Sequence, residues 1–298
     1  MTPEHRFGGA WTDEKLERVR KYLCAYTTIF RANERARFFR TTYVDAFAGT
    51  GRHVSSGAPP VELMLIPEVS TDPEASSFKK GSAAIALEVQ PQFDRYIFIE
   101  TDPEKAEELG GLRARHPDMS DRILVVRDDA NDALMRFARE TDWDTNRAVV
   151  FLDPYGMSVE WSTIEALGHT KAIDLWVLFP LGQAVNRLLM KNQVPTGGWA
   201  DALTRCFGTE EWKAEFYEPS AQMSLLGEAP GIEKVATFDS IAGFFKRRLA
   251  TCFCKVADNS LRLCNSRNTP LFLLCFAAAN EKGAKTAIKI ADHILGGA

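Results

Sequence analysis

What this chain lacks narrows the reading first. Its 298 residues hold six cysteines and no C-x-x-C pair. Cys252 and Cys254 are separated by one residue, while Cys24, Cys206, Cys264 and Cys275 are scattered. So few cysteines in a chain this long make no disulfide framework. With only five histidines to complete a ligand set, no metal site is expected. No apolar run reaches the roughly 18 residues of a membrane span, and the opening MTPEHRFGGAW has no signal-peptide core. The expectation is an intracellular, cytoplasmic protein with no membrane partner. No glycine loop ends in Gly-Lys-Ser/Thr, which excludes a Walker-type phosphate loop.

What is present is the composition of an ordinary globular protein, 45% hydrophobic and 26% charged, with room for an ample core. The net charge of −4 gives no overall basic field. Locally it differs. Lys15, Arg18, Arg20, Lys21, Arg31, Arg35, Arg37 and Arg40 face only Glu17 and Glu34 in the same segment. Lys15 to Arg40 therefore reads either as a solvated helix face or as a phosphate-contacting patch open to nucleic acid.

Trp11 to Ala36 has helical periodicity, with Leu16, Val19, Tyr22 or Leu23, and Tyr26 at three- and four-residue steps. This N-terminal helical segment, 11–40, leads into a short apolar strand in TTYVDAFAGTGR, Thr41 to Arg52. A polar loop insertion, 53–80, follows, and SAAIALE then reads as a helix. RYIFIE, RILVVR, AVVFL and IDLWVLF are four further strand candidates, alternating with helices. Asn186 to Asp239 breaks that rhythm and reads as a mostly helical insertion or lid (186–240), rich in aromatics. Phe238 to Thr251 is another helix, Lys255 to Cys264 and Leu271 to Ala277 form a hairpin, and Gly283 to Leu295 closes the chain as a helix. Apolar strands alternating with helices argue an α/β fold, a doubly wound parallel sheet buried on both faces.

In such sheets ligands sit at the carboxyl ends of the strands. Four of the five leading strands end there in a carboxylate: Asp45, Glu100, Asp129 and Asp153. Asp45 runs into Gly49 and Gly51, whose lack of a side chain lets backbone approach a ligand closely. Glu100 stands where ribose hydroxyls are held, and Asp129 is placed to accept from an adenine amine. Together they suit an adenosine-containing cofactor. A dinucleotide fits less well, because no third glycine follows at the proper spacing.

The ordered set YVDAFAGTG, GSAAIALE, YIFIETD, VVFLDPYGM followed by VEW, and IDLWVLFPLG followed by VNRLL resembles class I S-adenosylmethionine-dependent methyltransferases, and more closely the three-Cys-motif partner proteins (TcmP). The resemblance covers most of the chain. It implies a single domain over 1–298 with a seven-stranded, mostly parallel sheet and an antiparallel last strand. It also implies S-adenosylmethionine as cofactor, held by Asp45, Phe47, Gly49, Gly51, Glu100, Asp102, Asp129, Ala130 and Asp153. Asp153-Pro154-Tyr155 is similar to the D-P-P-Y motif of enzymes that methylate the adenine amine, which makes these three the candidate catalytic residues. There the Asp and a backbone carbonyl accept from the target amine while the ring stacks on the base. This chain has one proline where that motif has two, with Gly156 after Tyr155. Tyr155 and Arg187 are the candidate substrate contacts. The acceptor stays open among adenine in RNA or DNA, a peptide and a small molecule. The family name implies a cysteine-motif protein partner resembling radical-chemistry enzymes. A non-catalytic binding module of the same fold is the alternative from another class.

Overall fold

The computed structural model describes residues 9–49, 81–220 and 231–297, with side chains from Thr12 onward. Gly51 and the run 53–80 lie outside the described residues. The order is α1 (Gly9–Ala32), β1 (Arg40–Asp45), α2 (Ser82–Glu88), β2 (Arg95–Ile99), α3 (Pro103–Gly110), α4 (Leu112–Arg115), β3 (Ile123–Val126), α5 (Ala130–Glu140), β4 (Asn146–Leu152), α6 (Trp161–His169) and β5 (Ile173–Phe179). A π-helical turn, Leu181–Val185, leads into α7 (Asn186–Leu188), α8 (Gly198–Phe207) and α9 (Trp212–Phe216). A small hairpin, β6 (Tyr217–Pro219) and β7 (Ile232–Lys234), precedes α10 (Phe238–Cys252), β8 (Lys255–Val256), β9 (Leu261–Cys264), β10 (Pro270–Ala278) and α11 (Glu281–Leu295).

The main sheet runs β3-β2-β1-β4-β5-β10-β8, with β9 also paired to β10. β1 to β5 are mutually parallel, and β10 lies antiparallel to β5. This is the expected doubly wound sheet with its antiparallel last strand. The count is eight because the strand expected over Lys255 to Cys264 is in two pieces, both paired with β10. The intervening Asp258-Asn259-Ser260 leaves the ladder, and the Asn259 backbone N–H turns to the Asp292 carboxylate at 2.8 Å. Asn and Asp favour such local bonds over a strand.

Both faces of the sheet are covered, so the strands are apolar throughout. Val44, Ile97, Val150, Leu175 and Val177 face α5, α6, α8 and α10. Tyr43, Tyr96, Phe98, Val149, Phe151 and Trp176 face α1, α2 and α11. Period two along each strand thus feeds two cores. The aromatics of the 186–240 segment belong to the first core: Phe179 stacks on Phe245 at 4.0 Å and meets Phe207 at 5.9 Å, while Trp212 and Phe216 are fully buried. They pack against the sheet rather than presenting a stacking platform.

Helix boundaries move for local reasons. α1 ends at Ala32, four residues short of the periodicity, because the Asn33 side chain accepts from the Arg35 and Ala36 amides and closes a turn. α5 starts at Ala130, directly after the strand-end acid, because Asp129 caps it. Among the described residues no helix is long and apolar enough to cross a membrane.

Candidate functional site

The strand order puts the four acidic ends side by side. Asp129 follows β3, Glu100 follows β2, Asp45 ends β1 and Asp153 follows β4, and these are consecutive neighbours in the sheet. At about 4.8 Å between strands, the row spans roughly 14 Å along one edge.

Above β1 the chain turns across this edge, and its backbone is stitched to both neighbours. The Ala46 amide donates to Phe151 O at 3.2 Å, on the β4 side, and the Ala48 amide to Ile99 O at 3.1 Å, on the β2 side. Gly49 then passes against the Glu100 carboxylate. A Cβ at Gly49 would stand 2.1 Å from Glu100 Oε2, so no larger residue fits without moving that carboxylate. Phe47 is half-buried in this turn, and its amide donates to Asp45 Oδ1 at 3.3 Å.

Asp45 is fully buried, and among the described residues its Oδ2 has no hydrogen-bond partner. Burial pushes this carboxyl up to about 7; the Ser82 hydroxyl, the Phe47 amide and Lys15 oppose the shift, and the Asp153 carboxylate adds to it. A buried oxygen with no partner costs free energy unless something is brought to it, and a cation would be favoured most.

The other acids are held more conventionally. Glu100 is buried, and its Oε1 accepts from the Asp102 amide at 2.8 Å. Asp102 caps α3, with Oδ1 taking the Glu104 and Lys105 amides. Asp129 caps α5 in the same way through Oδ1, from Asn131 and Asp132, and is otherwise exposed. Ala130, the first residue of α5, is buried beneath it.

Asp153 receives a group that charge along the chain assigns elsewhere. Lys15 belongs to the basic N-terminal segment, yet it is buried and its Nζ donates to Asp153 Oδ2 at 2.5 Å. Lys15 lies four residues before Val19, inside the apolar stripe of α1, and Thr12, three residues earlier, is buried too. A lysine within a buried helical stripe was the available signal. Pro154 is buried, Tyr155 is 36% exposed, and Gly156 has φ +64, the left-handed region that favours glycine. Beneath this turn lies a narrow apolar crevice lined by Pro154, Met157, Phe179 and Pro180 among others. Arg187 is exposed on α7, beyond the end of β5 and on the same edge of the sheet.

Asn131 is the second residue that sequence reasoning passed over. Its Nδ2 donates to Ser158 O at 2.9 Å, and its Oδ1 accepts from the Glu160 amide at 3.0 Å and the Thr163 hydroxyl at 2.8 Å. One side chain after β3 therefore ties down the chain that leaves Asp153-Pro154-Tyr155-Gly156. Lys234 does similar work beyond β5, donating to Asn186 O, Asn186 Oδ1 and Leu189 O.

No family model matches the chain, and no curated protein matches it either. Among solved structures, protein LPL1258 from Legionella pneumophila is similar over 97% of this chain and 92% of its own, at 13% identity and a TM-score of 0.49. A Thermobifida fusca protein provisionally described as a methyltransferase is similar over 91% of this chain and 83% of its own, at 11% identity and TM-score 0.39. The CcbJ methyltransferase from Streptomyces caelestis is similar over 88% and 95%, at 12% identity and TM-score 0.34. At these scores the likenesses carry no argument about function. The fold class rests on the strand order itself.

Proposed function

We propose that this chain is an S-adenosylmethionine-dependent methyltransferase acting on an amine. The observation that carries the reading is the row Asp129, Glu100, Asp45, Asp153 along four adjacent strand ends. Its spacing suits an adenosine bearing an amino acid, from adenine at Asp129 through ribose at Glu100 to the methionine ammonium at Asp45. The orphaned Asp45 Oδ2 and the side-chain-free approach of Gly49 to Glu100 fit that ligand. When bound, the cofactor supplies an electrophilic methyl on a sulfonium that leaves as a neutral thioether, so no strong base is required.

The chain's own task is then to aim the acceptor. A carboxylate at Asp153 accepts a hydrogen bond from the acceptor amine and directs its lone pair toward the row. Lys15, already ion-paired there, sets the orientation of that carboxylate. Tyr155, part-exposed beside it, offers a ring face to a planar acceptor, and Arg187 offers a charge to an anionic one. An adenine amine in nucleic acid matches this combination best; a peptide or small-molecule amine is the other acceptor class.

The non-catalytic reading, a binding partner of a radical-chemistry protein with a cysteine motif, has one feature in its favour: Asp153 is already engaged by Lys15. Labelled methyl transfer to total RNA, DNA and protein separates the two readings. Transfer that Asp153→Ala abolishes supports the enzyme, whereas cofactor binding without any transfer supports the module. Transfer unchanged in Asp153→Ala removes Asp153 from its role.

A further inference from the structure

The basic segment of the N-terminus divides in the fold. Its first half is consumed locally: Lys15 by Asp153, Arg18 by Glu14 and Ile294 O, Arg20 by Glu17. Its second half is delivered to the opposite end of the sheet from the candidate site, where residues from distant parts of the sequence join it. Arg40 opens β1, Arg95 opens β2 and Arg122 immediately precedes β3. Three adjacent strands thus each contribute an exposed arginine, across roughly 10 Å at ordinary strand spacing. Arg95, Arg113 and Arg122 line an open cavity of about 400 Å³ together with Ser120 and Asp121. Arg113 is held by its Nε on Ile123 O at 3.0 Å, and Arg122 by Gln92 Oε1 at 3.3 Å.

The carboxylates near this row are partly engaged. Asp94 pairs with Arg31 at 2.8 Å and accepts from the Thr41 amide, and Asp142 accepts from Thr145 and the Asp144 amide. An aromatic stands beside the row. Phe38, at 67% exposure, is more exposed than any other large hydrophobic residue named among the described side chains. Its neighbour Phe39 is pinned beneath the Arg147 guanidinium at 3.8 Å, and Phe38 meets Phe39 edge-on at 5.4 Å. A solvent-facing ring costs free energy in water, and a chain with net charge −4 has no general need for an arginine cluster. Guanidinium groups beside an exposed ring match a phosphodiester strand with unstacked bases.

We propose that the N-terminal edge of the sheet binds single-stranded nucleic acid, with Arg40, Arg95 and Arg122 on phosphates and Phe38 stacked on a base. The surface is separate from the cofactor row and does not depend on methyl transfer. It holds the strand by its backbone, so recognition is sequence-tolerant and falls steeply with salt.

The test is fluorescence anisotropy of the full chain with labelled single-stranded RNA and DNA of about 20 nucleotides, over a range of salt. Binding is expected to weaken at least tenfold in the triple variant R40E/R95E/R122E, with the salt slope reduced by about 2, near 0.7 per lost contact. Phe38→Ser should weaken binding roughly tenfold without changing that slope. Reversal of the exposed Arg267, on the turn between β9 and β10 at the other end of the sheet, should leave binding within about twofold of wild type. Equal affinity for RNA and DNA, or a preference for RNA, both accord with backbone recognition. No binding of either strand at low salt by the folded protein overturns the proposal. So does binding unaffected by the triple variant, or displacement of the strand by polyglutamate as effectively as by oligonucleotide. Cofactor titration of the same triple variant should match wild type, so failure of this surface and failure of the cofactor reading are distinguishable.

Discussion

Asp45 is a carboxylate in a place where water does not help it. Burial pushes its carboxyl up to about 7, and among the described residues Oδ2 has no partner. If the ionised form receives the cofactor's ammonium, affinity must follow that ionisation. The protein holds the extra proton below about 7, so cofactor affinity should rise about tenfold from pH 6 to pH 8 and level off above. Asp45→Asn should bind more weakly and lose the slope; an equal slope in the variant assigns the titration to another group. Gly49 makes a second prediction. Gly49→Ala must displace the Glu100 carboxylate, so cofactor affinity should fall about 10- to 100-fold, the worth of one hydrogen bond to a charged group. A calorimetric titration with unchanged affinity would remove Glu100 from the cofactor set. These residues were legible because a strand that ends on an acid and a glycine announces its own position. Lys15 was not, because its charge pointed to solvent while its place in the α1 stripe pointed inward, and the fold followed the stripe.

At the scale of elements, the apolar runs were read closely: Ile173–Phe179 is a strand with the bounds its sequence suggests, since seven consecutive buried residues leave little choice. What escaped were the ends set by single side chains, Asn33 at α1 and Asp129 at α5, and the bonds of one element to another. Asn131 is the clearest of these. It joins α5 to the turn after β4 and to α6 through three hydrogen bonds. Asn131→Ala strands the buried Thr163 hydroxyl and should cost about 2–3 kcal/mol of stability in a denaturant titration. It should also lower methyl transfer more than cofactor affinity, because the tied segment carries Asp153-Pro154-Tyr155. Asn131→Asp keeps both acceptor bonds but sets a carboxylate oxygen against Ser158 O, so it should recover only part of the stability.

For the whole molecule, two cores on one sheet place charge where sequence pattern alone cannot. Asp174 on β5 lies within the second core, accepting from the Tyr22 hydroxyl of α1 at 2.6 Å, and burial pushes its carboxyl up to about 7. The unfolded chain loses that proton near its ordinary value of 3.8, so the folded state holds an extra proton between there and about 7. Stability therefore declines as pH rises through that window and is flat above it, with Asp45 contributing in the same direction. Asp174→Asn keeps an acceptor for Tyr22 and removes one titration. Its melting temperature relative to wild type should improve from about pH 5 to about pH 8, and a constant difference would contradict the assignment. Topology also splits one linear basic segment, sending Lys15 inward to the candidate site and Arg40 to the far edge beside Arg95 and Arg122, which no reading of charge along the chain separates.

On the proposed reading, four neighbouring strand ends hold an adenosyl amino acid. Calorimetric titration of the purified chain with S-adenosylmethionine and S-adenosylhomocysteine decides it. Saturable binding at one site per chain, weakened at least tenfold by Glu100→Ala, is the predicted result. No heat from either compound with a folded sample would contradict it.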